Sequence, residues 1–298
     1  MRLNIVHWLI VISLNWSANS VFGAMFEQEE ALIPQLHHSV ADVYSTTQPT
    51  KLKLLTLNLA HGRGDSVSQL LLSKEKIKEN LNQIGQFLSY ENADVVALQE
   101  ADAASWWSGE FDHVAYLAGL AGYRYYIHGK HVDRFFGRYG TAILSKYPIT
   151  NSFSYRFAPT PPTPSKGFVV GQINLPCATE PTNCHPIDIY SIHLDFSRQS
   201  KRLEQIAQLN AVRQQRQVPS ILLGDFNATW QGGNKVIGTI LSDRSLTTYF
   251  KYSNSHNTYG NKRLDWIFIP KTMAFLDYQV ADQVLSDHQA VVATVLME

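Results

Sequence analysis

The sequence predicts an α/β domain, and three features point there. Short continuous apolar runs such as Val95–Leu98 and Ile221–Leu223 lack polar alternation, as strands buried on both faces do. Longer segments between them repeat their apolar residues at helical spacing. Glycine and proline punctuate the joins. Pattern alone leaves two architectures open, a doubly wound sheet and a pair of packed sheets.

The chain begins Met1-Arg2, followed by the apolar run Ile5–Leu14 and then small residues around Ala18, Ser20 and Gly23. That run falls well short of the roughly 20 residues a bilayer span requires. Residues 1–23 therefore read as a secretory signal peptide, which places the protein outside the cell or in the periplasm; an uncleaved membrane anchor is the alternative. Residues 24–50 are polar and read as a tether. Residues 51–298 show no repeat period, low-complexity tract or interior linker, and read as one domain.

Strand signatures cover Leu52–Leu59, Val95–Gln99, Tyr123–His128, Thr141–Leu144, Phe168–Leu175, Ile187–His193, Ile221–Leu223, Leu264–Ile269 and Ala290–Leu296. Ile77, Leu81, Ile84 and Leu88 fall on one helical face, with Ser73 ahead of them as N-cap. Leu203, Ile206, Leu209 and Val212 mark a second helix that Pro219 follows. Phe111, Val114, Leu117 and Leu120 mark a third, stopped by Gly122. Cys177 and Cys184 share the loop Pro176–Pro186 between two strand-like runs. In an exported protein that spacing suggests a disulfide clamping a hairpin; free thiols are the other reading.

The 25 basic and 25 acidic side chains cancel. A protein whose affinity came from neutralising many phosphates would carry a basic excess, so the balance argues against a tight nonspecific nucleic-acid binder. Arg63, Lys130, Arg134 and Arg138 supply local basic groups. The pairs His37-His38 and His128/His131 lack ligand spacing and read as surface or loop histidines. Ser105-Trp106-Trp107 reads either as an aromatic lip for a base or lipid, or as packing.

The chemistry-bearing residues sit at strand ends. Gly224-Asp225-Phe226-Asn227 follows Ile221–Leu223, and side-chain alternation points Asp225 and Asn227 the same way. Gly224 permits a close approach of backbone or ligand. Asn58 ends one apolar run and Glu100 another. Ile189–Leu194 delivers His193. Asp265 stands within the apolar strand Leu264–Ile269, where an unpaired carboxylate would be costly. Ser286-Asp287-His288 precedes the last strand. Asn227-Ala228-Thr229 matches a glycosylation pattern, read as coincidental because a sugar there would block these groups.

In this order, over roughly residues 51–297, the set resembles the metal-dependent endonuclease/exonuclease/phosphatase superfamily. Arg138–Ser145 is similar to its glycine-led central strand. The resemblance implies a four-layer α-β-β-α sandwich with two packed mixed sheets, helices outside, and a site where strand ends converge. It implies that Asn58, Glu100 and Asp287 hold a divalent cation. Their hard oxygens favour Mg2+, with Mn2+ as the alternative. Asp225 would orient or deprotonate the attacking water and Asn227 would donate to the phosphate. His193 and His288 would exchange or stabilise protons, with Asp265 fixing the tautomer of His288. Arg63 and Arg138 are candidate phosphate contacts.

The implied activity is Mg2+-dependent hydrolysis of phosphate esters, foremost a phosphodiesterase acting on nucleic acid or a phospholipid headgroup. A phosphoinositide phosphatase or sphingomyelinase-like lipid phosphodiesterase is the enzymatic alternative. A catalytically silent binding module is the non-enzymatic one. The sequence shows no obligate protein partner, and the chain reads as a monomer.

Overall fold

The computed structural model describes residues 29–37, 50–66, 68, 72–175, 186–230, 235–250 and 256–297. The first half carries β1 (Glu29–Ala31), β2 (Gln35–Leu36), β3 (Lys51–Asn58), α1 (Lys74–Glu91), β4 (Val95–Asp102), α2 (His113–Ala121), β5 (Tyr125–Arg134) and β6 (Gly137–Ser145). Next come β7 (Ile149–Arg156), β8 (Gly167–Asn174), β9 (Pro186–His193), α3 (Gln199–Arg216) and β10 (Ser220–Asp225). The chain closes with α4 (Val236–Ser242), β11 (Leu246–Thr248), β12 (Asp265–Pro270), β13 (Met273–Val280) and β14 (Val291–Met297).

The strands form two seven-stranded sheets, ordered β1-β7-β8-β9-β10-β12-β11 and β13-β14-β3-β4-β6-β5-β2. Both are mixed: β9 and β10 run parallel in the first sheet, and β3 and β4 do so in the second. The sheets pack face to face through Leu52, Leu54, Val95, Ala97, Val169, Ile189, Ile221, Leu223 and Ile267. Alternate residues face outward. Leu55, Leu57, Val96 and Leu98 meet Ile77, Leu81, Ile84 and Leu88 of α1 and Val114 and Leu117 of α2. On the other outer face Tyr190, Ile192, Leu222 and Trp266 meet Ile206, Leu209 and Val212 of α3 and Ile237 and Ile240 of α4. This is the four-layer sandwich, and burial on both faces is why its central strands read as unbroken apolar runs. No helix among the described residues is long and apolar enough to cross a membrane.

The caps follow the sequence. Ser73 Oγ accepts from the Lys76 amide at 3.2 Å, and Gly122 closes α2 in the left-handed region. Several expectations need correction. Part of the segment read as a tether is pinned: β1 pairs with β7 and β2 with β5, so 29–36 adds an edge strand to each sheet. His131 is not a loop residue but lies buried within β5, its Nε2 3.0 Å from Thr141 Oγ1. β7 and β13 left no strand signature because neither is uniformly apolar. β7 carries Thr150-Asn151-Ser152 across a register shift, and β13 is an edge strand with only Tyr278 buried. β8 and β9 flank the cysteine loop as an antiparallel pair. Cys177 and Cys184 themselves, and residues 1–23, lie outside the described residues.

Candidate active site

Strand register assembles half of the site. Asp225, ending β10, pairs with His193 on the parallel neighbour β9 and with Asp265 on the antiparallel neighbour β12. Three polar residues thus form one row across the end of an otherwise apolar sheet. Gly224 makes the row possible. Its φ is +143°, and a Cβ there would lie 2.0 Å from the Ile192 carbonyl oxygen, so only glycine fits. Asp225 is buried and held from several sides. The Asn227 amide donates to Oδ1 at 2.8 Å, and Asn58 Nδ2 and Asn227 Nδ2 donate to Oδ2 at 3.1 and 3.2 Å. Asn227 Nδ2 also donates to the Leu194 carbonyl at 3.0 Å, so its amide protons are engaged within the protein and serve to fix Asp225.

His288 comes from the loop ahead of β14. Its Nδ1 is 2.8 Å from Asp265 Oδ2, an oxygen that also accepts from Thr258 Oγ1 at 2.6 Å. The Tyr259 ring lies 4.9 Å away, and His288 Nε2 reaches within 3.8 Å of Asp225 Oδ2. Burial opposes charge on this ring, but the Asp265 and Asp225 carboxylates outweigh it and the pKa is pushed up to about 10. Burial acts the other way on Asp225. With little water around it, and with Asp265 nearby, its carboxyl rises to about 7 despite the His288 cation. His193 Nε2 is 3.4 Å from the same Asp225 oxygen. Burial and the Lys166 ammonium hold His193 well below its ordinary value, hence neutral.

The second sheet supplies the facing wall. Glu100 sits in a bulge of β4, between Gln99 and Ala101, with φ +47°. The bulge breaks the alternation and re-aims the side chain. Lys166 Nζ lies 3.3 Å from Oε1 and His61 Nε2 lies 3.4 Å from Oε2. Burial opposes ionisation of Glu100, but Lys166 and His61 override it and keep the carboxyl well below its usual range. Behind His61, Nδ1 is 2.9 Å from Oδ2 of the fully buried Asp102. Burial opposes the imidazolium here too, but Asp102 and Glu100 raise the His61 pKa. Asp287, at the rim, forms an ion pair with Arg63.

Among the described residues nine non-glycine positions have positive φ, and four of them (Ala60, His61, Glu100 and Asn227) belong to this site. Such strain persists only where surrounding contacts over-determine it, and it gathers at functional sites.

Asn58, Glu100, His193, Asp225, Asp287 and His288 line a common cleft of about 610 Å³. Asn227 and Arg63 line it as well, and Asp265 stands buried behind His288. Arg138 is not brought there. It points to solvent and pairs with Asp133 at 3.1 Å. Five lining residues had not been singled out: Lys166, Phe196, Arg202, Tyr259 and Lys262. A lysine abutting the buried run Phe168–Val170 was a readable sign of Lys166. Arg202 was hidden in a helix, where an arginine normally reads as surface.

These strand ends, their register and the double sheet agree with the match of residues 55–288 to the model of the Endonuclease/Exonuclease/phosphatase family. The chain belongs to that family. Family members hydrolyse phosphoester bonds, in nucleic acids among other substrates, and generally depend on a divalent metal. No match was found among curated proteins. Among solved structures the fold is shared with an endonuclease/exonuclease/phosphatase from Beutenbergia cavernae, at 19% identity and TM-score 0.65, over 84% of this chain and 72% of that one. It is shared with the catalytic domain of human Nocturnin, solved with bound sulfate, at 17% identity and TM-score 0.62 over 84% and 95% of the two chains. A mannosyl-6-phosphatase from Bacteroides thetaiotaomicron shares it at 15% identity and TM-score 0.58, over 83% and 100%.

Among the described residues, two sets of side chains at this cleft offer cation ligands. Asp225, Asp265 and His288 bring donor atoms within 4.8 Å of one another. That trio reads better as a proton relay. His288 is held cationic, and Asp265 Oδ2 is already taken by His288 and Thr258. Glu100 fits a cation better, because its carboxylate stays ionised and opens to the cleft beside Asn58 and Asp287. Glu100 and Asp287 offer the hard carboxylate oxygens that suit a divalent ion, while Asn58 Oδ1 already accepts from the Ala60 amide at 3.0 Å and has one lone pair left to add.

Proposed function

We propose that this protein is a Mg2+-dependent phosphodiesterase, in which Asn58, Glu100 and Asp287 hold the cation. The observation that carries the reading is the row His193–Asp225–Asp265, extended by His288 and facing an ionised Glu100 across one cleft. When bound, the cation supplies charge neutralisation to the phosphoryl oxygens.

The chain's own residues do the rest. Asp225, oriented by Asn58 and Asn227, takes a proton from the attacking water. Its position against neutral His193 leaves an acceptor that is basic yet buried, as general-base chemistry near neutral pH requires. His288, kept charged and in one tautomer by Asp265, directs an Nε2–H toward the space beside Asp225, where a phosphoryl oxygen or leaving oxygen would lie. Lys166 and Arg63 add positive charge to the cleft and oppose repulsion between substrate and the carboxylates.

The test is hydrolysis of a bis-aryl phosphodiester beside the matching monoester, with Mg2+, with Mn2+ and in chelator. The expected result is turnover of the diester that chelation abolishes and Mg2+ restores. Diester hydrolysis that persists in chelator would remove the metal from the mechanism. Preference for the monoester would make the protein a phosphatase.

A further inference from the structure

The turn joining β5 to β6 is Phe135-Phe136, set between the paired residues Arg134 and Gly137. Two-residue hairpin turns favour Asn, Asp and Gly, so turn chemistry gives no reason for two phenylalanines there. Phe135 is 94% exposed and Phe136 53%, and Trp106 in the neighbouring loop is 66% exposed. The two loops are tied together, the Trp107 amide donating to the Phe136 carbonyl at 3.0 Å and that of Ala103 to the Arg138 carbonyl at 2.8 Å. Single exposed apolar side chains are ordinary, whereas three large rings on one protrusion mark a contact surface.

The position and charge of this protrusion say what it contacts. Ala101 pairs with Gly140 and Asp102 with Tyr139, so the hairpin continues past Glu100 and projects from the cleft end of the sandwich. Phe196 and Tyr259, also exposed, line the cleft itself. Along the hairpin, Lys130, Arg134 and Arg138 are exposed against the single carboxylate of Asp133, in a chain whose total formal charge is zero. Protruding rings with cations just behind them suit an anionic lipid surface, where the rings enter the acyl boundary and the cations stay among the headgroups. Nucleic acid suits it less. Stacking platforms line a basic groove that tracks the backbone, whereas a ring at a hairpin tip has no facing wall.

We propose that the Phe135-Phe136 hairpin, with Trp106, docks the protein on an anionic lipid–water interface and so presents phosphoester headgroups to the cleft. The headgroup part rests on the hydrolase reading above; the docking does not.

The test is co-sedimentation of the full chain with phosphatidylcholine vesicles, with and without phosphatidylglycerol, in chelator so that no turnover is needed. The wild type should sediment with the anionic vesicles. Phe135→Ser and Phe135→Ser/Phe136→Ser should lower the partition coefficient, the double variant by about tenfold or more, with soluble-diester turnover and melting temperature unchanged. Phe135 is almost wholly solvated, so the single variant tests docking even if the double variant folds poorly. A wild type that stays in the supernatant, or variants that partition as it does, would overturn docking. So would a variant that keeps vesicle binding but loses affinity for a single-stranded oligonucleotide, or one that only dissociates a dimer. Docking without diester turnover would instead fault the hydrolase reading.

Discussion

The cleft has two walls built on the same device and put to opposite ends. On one, a buried Asp265 holds His288 by Nδ1 at 2.8 Å and leaves Nε2 facing Asp225. On the other, a buried Asp102 holds His61 by Nδ1 at 2.9 Å and leaves Nε2 facing Glu100. Even the remaining oxygens correspond, for Oδ1 of both aspartates is buried without a hydrogen-bond partner. The carboxylates in front differ. Asp225 is raised to about 7 by burial and Asp265, while Glu100 is held low because Lys166 adds a second cation. An imidazolium therefore does not by itself decide whether the facing carboxylate takes protons or keeps its charge. The count of cations and carboxylates around it decides. One wall is suited to move a proton, the other to hold a cation.

The largest break in this contrast is Asp225→Asn. It keeps the shape and removes the acceptor, so turnover with Mg2+ should fall by about 10³-fold or more while the metal still binds. The melting temperature should change little, since relief of the buried carboxylate beside Asp265 is offset by an amide NH2 set against the donors that Asp225 accepts from. Rate measurements paired with Mg2+ calorimetry check both halves. A variant that retains turnover would put the base elsewhere.

Asp102→Asn probes the opposite wall. The amide can no longer stabilise an imidazolium, so His61 loosens its hold on Glu100. Groups that orient a ligand typically contribute about 10–100-fold in metal affinity or activity. Weakened Mg2+ binding in calorimetry, with turnover restored by higher Mg2+, is expected. A drop in turnover that saturating Mg2+ leaves uncorrected would assign Asp102 to the chemical step instead.

The two walls were also unequally legible. The row His193–Asp225–Asp265 could be read because each residue breaks an apolar run, and a buried charge in such a run needs a purpose. Asp102 lies two residues beyond Glu100, in a stretch that reads as a loop start, since the bulge at Glu100 hides that β4 continues to Asp102. His61 depends on consecutive left-handed residues at Ala60 and His61, a conformation no local pattern announces for non-glycine residues. The central strands and all three expected helices were visible through periodicity. The edge strands β1, β2, β11 and β13 were not, because each is short or largely solvated. Arg138 was weighed as a phosphate contact on sequence similarity, but alternation along β6 turns it away from the cleft.

A third buried carboxylate sharpens the comparison with the smallest effect on catalysis. Asp195 follows His193 closely yet faces away from the chemistry. It accepts from Thr160 Oγ1 at 2.7 Å, Thr163 Oγ1 at 2.8 Å, and Ser197 and Arg198 amides at 2.9 Å. Burial opposes its charge, but these donors, Thr160 and the Arg198 amide foremost, hold its carboxyl well below the usual range. Asp195 is thus kept ionised by neutral donors, Glu100 by cations, and Asp225 has too few of either. A depressed folded pKa contributes stability above the unfolded value of about 3.9 and loses it as pH falls through the folded value. Asp195→Asn should therefore cost about 2–3 kcal/mol at pH 7, on the scale of hydrogen bonds to a charged group. The deficit should shrink below about pH 4, as the wild type loses the same advantage. Denaturant melts of both proteins from pH 3 to 7 measure it. A deficit independent of pH would mean that Asp195 stabilises the fold by shape, with its charge contributing nothing.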